Sequence, residues 1–295
     1  MRERSERIVV NGMGLCLHRF EPDDPTRVGG ARGERRTVLL LHGFLDAGSS
    51  WDLVAEGLVD AGYEVVAPDL RGFGESDAVP PGTYYYFPDY VADVEGIVEL
   101  LAPSWLAVVG HSMGGAVASL YAGARPARVQ RLVCMEGLGP VADRHEHAIE
   151  RVRAWLDGLA KIEREPRRLA SIDEAIKRLG GTHPRLPAEL LRSRAERLVR
   201  RHDDGTLSWA WDPLHRTRSP IPFFPASFAS ALRAVTAPVL FVSGGPTGWH
   251  PEDEAERLAE IARLERYELP DAGHMMHWTE PGAVAARLAS FFDGA

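Results

Sequence analysis

The segment Gly110-His111-Ser112-Met113-Gly114 sets a serine between two glycines. An apolar run, Leu106 to Val109, precedes it, and an alanine-rich, helix-like run from Ala116 to Ala122 follows. A serine hydroxyl attacks a carbonyl well only when a base takes its proton, and imidazole suits that task near neutral pH. A tight strand-to-helix turn would hold Ser112 in a strained conformation with its hydroxyl outward. Gly110 and Gly114 would leave space that a Cβ fills. The Met113 amide, at the helix start, is then free to bind a developing oxyanion. A second amide donor is expected from Phe44, because His42-Gly43-Phe44 follows the short apolar run Thr37 to Leu41 and Gly43 permits a sharp turn. The expected base is His274, which ends Pro270-Asp271-Ala272-Gly273-His274 directly after a strand-like Arg266 to Leu269. His277 is the second choice as base and reads better as a hydrogen-bonded structural residue beside Trp278. His42 likewise reads as part of its turn.

The surrounding sequence supplies elements to position these residues. Ile8 to Val10 and Gly14 to Phe20, joined at Asn11-Gly12, predict a β-hairpin. Glu21 to Arg36, rich in proline, glycine and charge, reads as an exposed loop. Short apolar runs at Thr37–Leu41, Tyr63–Ala67, Leu106–Val109, Val129–Glu136 and Pro238–Val242 are of the kind a parallel sheet covered on both faces requires. Helical spacing is present in Leu53 to Val59, capped by Ser49 or Ser50, in Asp89 to Leu101, in Glu252 to Ile261, and in the final run through Phe292. Asp69 and Arg71 are expected to pair or hydrogen-bond to hold the glycine-punctuated loop Pro68 to Asp77. Tyr84 to Phe87 either line a pocket mouth or cover the sheet. The alternation predicts an α/β fold with a doubly wound, mostly parallel sheet.

Composition bounds the rest. The net charge of −8 argues against nucleic acid as a partner. No apolar run approaches the roughly 18 residues of a membrane span, and no signal-like segment follows the charged N-terminus, so a cytoplasmic protein away from membranes is expected. Two cysteines, Cys16 and Cys134, lie in apolar runs and read as core packing. No Cys or His spacing of metal-ligand type is present, so no metal is expected. From Asp143 to Arg218 the chain holds 17 Lys or Arg against 13 Asp or Glu, a local charge of +4 that leaves −12 elsewhere. That shift marks an inserted, mostly helical cap, with helices expected at His145–Ile162, Ile172–Leu179 and Ala188–Arg201. The boundaries predicted are 1–139 and 226–295 for the core and 140–225 for the cap. Most arginines of the cap read as a solvated face. Its aromatics Trp209, Trp211, Phe223 and Phe224 are candidates for a substrate pocket, with packing between lobes as the equal alternative.

His42-Gly43, Gly110-x-Ser112-x-Gly114, Gly273-His274 and the position of the cap together resemble the α/β-hydrolase fold family. The motifs span nearly the whole chain outside the cap. The resemblance implies Ser112 as nucleophile, His274 as base, the Phe44 and Met113 amides as oxyanion hole, and no cofactor. The family usually places an aspartate after the strand that is Pro238 to Val242 here, where this sequence has Thr247, which carries no charge. Asp253 is next nearest but reads as a helix start. Some relatives place the acid one strand earlier, just before the cap, where Glu136 stands. A carboxylate at the end of an apolar strand is costly to bury without a partner, so Glu136 is the acid expected. Glu136-Gly-Leu-Gly and the Trp-x-Trp-Asp-Pro-Leu-His stretch resemble the serine hydrolase-like branch. The function expected is hydrolysis of a small-molecule ester, thioester or lactone. The alternative is a non-hydrolytic protein of the same fold, a ligand-binding receptor or a lyase. Substrate identity and oligomeric state are not legible in the sequence.

Overall fold

Consecutive apolar residues in a strand face both sides of a sheet, so they are stable only where helices cover both faces. The computed structural model, which describes residues 1–24, 35–163 and 165–294, realises this arrangement. In chain order the first elements are β1 (Arg2–Val10), β2 (Met13–Glu21), β3 (Arg36–Leu41), α1 (Asp52–Asp60), β4 (Glu64–Pro68), α2 (Phe87–Leu101), β5 (Trp105–His111), α3 (Met113–Ala124) and β6 (Arg131–Met135). The inserted segment follows, with α4 (Ala148–Lys161), β7 (Arg168–Leu169), α5 (Ile172–Thr182), α6 (Ala188–Leu198), β8 (Val199–Arg201) and β9 (Leu207–Trp209). The chain closes with α7 (Pro225–Ala234), β10 (Val239–Ser243), α8 (Glu254–Ala259), β11 (Leu264–Glu268), α9 (Met276–Thr279) and α10 (Pro281–Asp293).

Among the described residues the main sheet has eight strands in the order β1-β2-β4-β3-β5-β6-β10-β11. The first two joins, β1 to β2 and β2 to β4, are antiparallel, and every join from β4 to β11 is parallel. The order turns back at β3 and runs on through β5, so the crevice of an open α/β sheet lies at the carboxyl ends of these strands. On β3, Leu39 and Leu41 join one buried cluster with Val94, Val117 and Phe241, while Val38 and Leu40 join the other with Val54, Val109 and Leu288. The doubly wound, mostly parallel sheet expected from the apolar runs is therefore the observed one.

Three expectations change. The hairpin turns at Asn11-Gly12, with φ of 52° and 75°, but its first strand begins at Arg2 instead of Ile8. Neither Ser49 nor Ser50 caps α1: a 3-10 turn over Gly48–Trp51 precedes the helix, and the Ser50 hydroxyl donates to Asp46 Oδ1 at 2.5 Å. Asp69 and Arg71 do not pair with each other. Arg71 makes a two-pronged contact with buried Asp93 on α2, at 2.6 Å to each oxygen. Asp69 accepts from the amides of Gly48 and Glu75 and faces His18. Each residue still anchors its loop, but to a different element. The predicted loop from Glu21 to Arg36 lies outside the described residues over 25–34, and its two end residues belong to strands.

The inserted segment carries its three helices and also a small antiparallel sheet, β7-β9-β8, which short and highly charged strands concealed in the sequence. The expected third helix stops at Leu198, and the next residues enter β8. The segment has its own apolar cluster of Leu169, Ala175, Leu179, Ala195, Leu198 and Leu207, which reaches Ala47 and Trp278 of the main body. Arg194, fully buried, ties it to Asp52 at 2.7 Å and to the Ser50 carbonyl at 2.7 Å. On the other side, Phe73 pairs with Trp211, and Tyr85 donates to Asp212 at 2.7 Å. Cys16 and Cys134 are both buried and free. No helix among the described residues is long and apolar enough to cross a membrane.

Candidate active site

Strand β5 delivers its chain into α3 through Ser112 alone, and the backbone there pays for the tightness of the turn. Ser112 has φ 51° and ψ −118°, a region that L-residues rarely enter, at a cost of about 1–3 kcal/mol. A Cβ at Gly110 would lie 2.2 Å from the Gly114 carbonyl oxygen, and one at Gly114 would lie 2.3 Å from the Leu41 carbonyl oxygen. Only glycine fits at either place. Met113 opens α3, so its amide has no partner within the helix. The turn after β3 packs on the same point: a Cβ on Gly43 would come within 3.2 Å of Ser112 Cβ. Phe44 therefore stands in the loop beside the serine, with its ring half-exposed.

Glu136 ends β6 in a left-handed conformation, φ 45°, with its side chain buried. Oε2 accepts from His274 Nδ1 at 2.7 Å and from the Trp249 amide at 2.6 Å, and Oε1 accepts from the Gly244 amide at 2.6 Å. A carboxylate that loses water needs such donors in its place. With Nδ1–H donated to Glu136, Nε2 of His274 is left as the basic nitrogen. Thr247 sits in a 3-10 turn, Gly245–Thr247, that carries no acid to His274. Asp253 faces Arg257 at 2.7 Å. Glu136 is thus the carboxylate that meets His274, and the turn after β10 serves as its amide cradle.

Other histidines form a buried layer behind His274. His111 Nε2 bonds the His274 carbonyl at 2.8 Å, which joins the loop of His274 to the residue before Ser112. His277 donates from Nε2 to buried Asp46 at 3.0 Å, and its ring lies 4.4 Å from that of His111. Burial pushes the pKa of His111 well below the usual value and lowers that of His277. His42, also held low by burial, accepts the Leu70 amide at Nε2 and faces the Gly43 carbonyl with Nδ1. That pattern fixes the loop bearing Phe44. The sequence singled out neither His111 nor Asp46. Their signal was position, His111 inside the serine motif and Asp46 two residues after Phe44.

Among the described residues, two buried groups bring ligand-type atoms within 4.8 Å of one another: Cys16 with His18 and Asp69, and Asp46 with His111 and His277. These are the arrangements with which a metal ion would have to be reconciled, and the sequence spacing did not reveal either. In the first, His18 is held as a cation between Glu3 at 3.1 Å and Asp69 at 3.2 Å, its pKa raised to about 12 against the opposing effect of burial. A cationic ring has no lone pair for a metal.

The aromatic candidates divide. Trp209 and Trp211 stack at 4.8 Å and line a surface cavity with Lys161, Pro166, Arg167 and Arg216; neither Ser112 nor His274 lines it. Phe223 packs against Gly139, Phe228 and the Arg257 guanidinium, and Phe224 stacks on His145. Both phenylalanines lie where the inserted segment meets the main body.

The chain matches the alpha/beta hydrolase fold family over residues 36–281, and it belongs to that family of hydrolases. Serine hydrolase-like proteins of Dictyostelium discoideum and Danio rerio are 31% identical over 130 and 176 residues, 44% and 58% of this chain. These matches span 36% and 53% of the relatives' own length, and they bear out the resemblance to that branch. The 3-hydroxybutyrate-oligomer hydrolase of Cupriavidus necator is 27% identical over 271 residues, covering 88% of this chain and 89% of that protein. Among solved structures, the thioesterase domain from the curacin biosynthetic pathway superposes with a TM-score of 0.83 at 26% identity, over 98% of this chain and 99% of that one. Some relatives are named epoxide hydrolases, such as one of Siraitia grosvenorii, 39% identical over 101 residues, 34% of this chain and 32% of that protein.

Proposed function

We propose that this protein is a serine hydrolase that cleaves a carboxylic ester, thioester or lactone of a small molecule through an acyl-enzyme on Ser112. The observation that carries the reading is the His274–Glu136 hydrogen bond, 2.7 Å, on a loop whose carbonyl bonds His111, the residue before a strained serine set between two obligatory glycines. In this reading Ser112 Oγ attacks the carbonyl carbon while His274 Nε2 takes its proton. The Phe44 and Met113 amides hold the oxyanion. His274 then protonates the leaving alcohol or thiol, and afterwards draws a proton from water as it attacks the acyl-enzyme; the acyl bond to Ser112 breaks, the acid leaves, and His274 returns the proton to Oγ. Glu136 keeps the imidazole in the required tautomer and stabilises its cationic form. Residues 140–225 act as the lid over the crevice. No cofactor takes part.

Chemistry at position 112 separates this reading from that of the epoxide hydrolase relatives. Opening an epoxide through a covalent ester to the enzyme takes a carboxylate nucleophile, and Ser112 offers a hydroxyl. The Glu136 contact also weighs against a purely ligand-binding protein, since Thr247 was the feature that favoured one. A fluorophosphonate probe tests the proposal. The native protein is expected to be labelled at Ser112, and the Ser112→Ala protein to stay unlabelled. Native protein that resists the probe and hydrolyses no activated ester overturns it. A panel of thioesters, short acyl esters and 3-hydroxybutyrate oligomers, chosen from the relatives' names, then sorts the substrates.

A further inference from the structure

Besides His274, one more ionisable side chain faces the Glu136 carboxylate. His250 Nε2 lies 3.7 Å from Glu136 Oε1. Both ring nitrogens of His250 also meet acceptors: Nδ1 lies 2.8 Å from Glu254 Oε2, and Nε2 lies 2.9 Å from the Gly245 carbonyl. A carboxylate and a carbonyl have no proton to give, so both contacts are hydrogen bonds only if the ring carries two protons. Burial favours the neutral ring, yet the Gly245 carbonyl, then Glu254 and Glu136, raise its pKa above the usual value. The charged groups facing it are Glu254 on α8 and Glu136 at the end of β6, both acidic.

We propose that His250, as a cation, is a positioning residue of the hydrolytic site: it shares the Glu136 carboxylate with His274 and makes a second positive charge on His274 more costly. Like charges near one site disfavour the charged form, and here a single carboxylate serves two imidazoles. The same loop supplies the Gly244 and Trp249 amides, so its backbone orients Glu136 while its histidine sets the charge. This inference rests on the reading of Ser112, His274 and Glu136 given above.

The test is kcat/KM against pH on an activated ester for the wild type, His250→Asn and Glu254→Gln. In His250→Asn the acidic limb is expected to move to higher pH by about half to one unit, with the plateau changed only a few-fold. Glu254→Gln should move it the same way by less. An acidic limb that stays in place in active His250→Asn overturns the proposal. Imidazole NMR of the Ser112→Ala protein provides a readout that needs no activity. There His250 is expected to titrate above the ordinary 6.5, and His274 to titrate higher once His250→Asn is added. A His250 ring that is neutral at neutral pH, or a His274 titration indifferent to it, overturns the proposal even when every variant is inactive. Failure of the hydrolase reading itself would show separately, as unlabelled wild-type protein.

Discussion

At the residue scale, the proposed mechanism rests on few atoms, each given one role. Under the proposed mechanism, replacing Ser112 or His274 by alanine is expected to lower kcat roughly 10⁴-fold or more, because a nucleophile and its base act as a unit. KM should change little, since neither side chain is needed for ground-state binding. Glu136 and Asp253 offer a sharper comparison. Glu136 bonds His274, whereas Asp253 bonds Arg257. Glu136→Gln is expected to cost about 10²–10⁴ in kcat through loss of the correct imidazole tautomer, and Asp253→Asn to stay within about twofold, a threshold that counts as unchanged on a free-energy scale. Steady-state kinetics decide it: wild-type turnover in Glu136→Gln with loss in Asp253→Asn would reverse the assignment.

At the element scale, the turn from β10 to α8 does the work of orientation. It carries no acid, yet it wraps one. Gly248 is the position where this shows most directly, because its φ of −72° suits any residue while a Cβ would lie 1.9 Å from Glu136 Oε1. Gly248→Ala therefore strains no backbone and acts only by pushing the carboxylate. A displacement of that order is expected to lower kcat about 10²-fold with circular dichroism unchanged. Normal turnover in the folded variant would mean that the carboxylate position is not critical. Gly245, at φ 74°, is a poorer probe, since alanine there would add strain of its own.

At the scale of the whole molecule, the buried histidines make stability depend on pH. Burial lowers the pKa of His42, His111 and His277, and pushes that of His215 down to about 3. These rings are neutral in the fold but protonate near 6.5 when the chain unfolds. A depressed histidine contributes stability that is present above the unfolded value and lost as pH falls below it. Each such ring binds its proton more readily in the unfolded chain, so it lowers stability as pH falls from 7.5 to 5.5. His18 has the opposite sign: raised to about 12, its contribution is complete below 6.5 and fades as pH rises through that range. It acts against the lowered rings. His183 is also lowered and His250 also raised, so the lowered rings outnumber the raised ones, and a net loss of stability is expected over this interval, read as a lower urea midpoint at pH 5.5. A midpoint that rises on acidification would show that these rings are not held neutral.

Much of the architecture was legible because its signals are local. Five apolar runs predicted parallel strands, and Gly110, Ser112 and Gly114 predicted the elbow, since a turn that excludes Cβ atoms must write glycine into the sequence. Glu136 was legible through the resemblance, which offers its position, together with chemistry: a carboxylate ending an apolar strand demands a partner. Contacts between distant segments left no such trace. Arg71 has its partner on α2, and nothing local distinguishes Asp93 from Asp69 as that partner. The strands of the inserted segment are two or three residues long and charged, too short for a period to show. The layer of His111, His277 and Asp46, and the cradle of Gly244, Trp249 and His250 around Glu136, join residues more than a hundred positions apart. The sequence by itself determined the sheet, the turn that strains Ser112 and the residue types available for chemistry. Only the tertiary structure decided which nitrogen faces which oxygen, because the directions of hydrogen bonds are set by packing after the chain has folded.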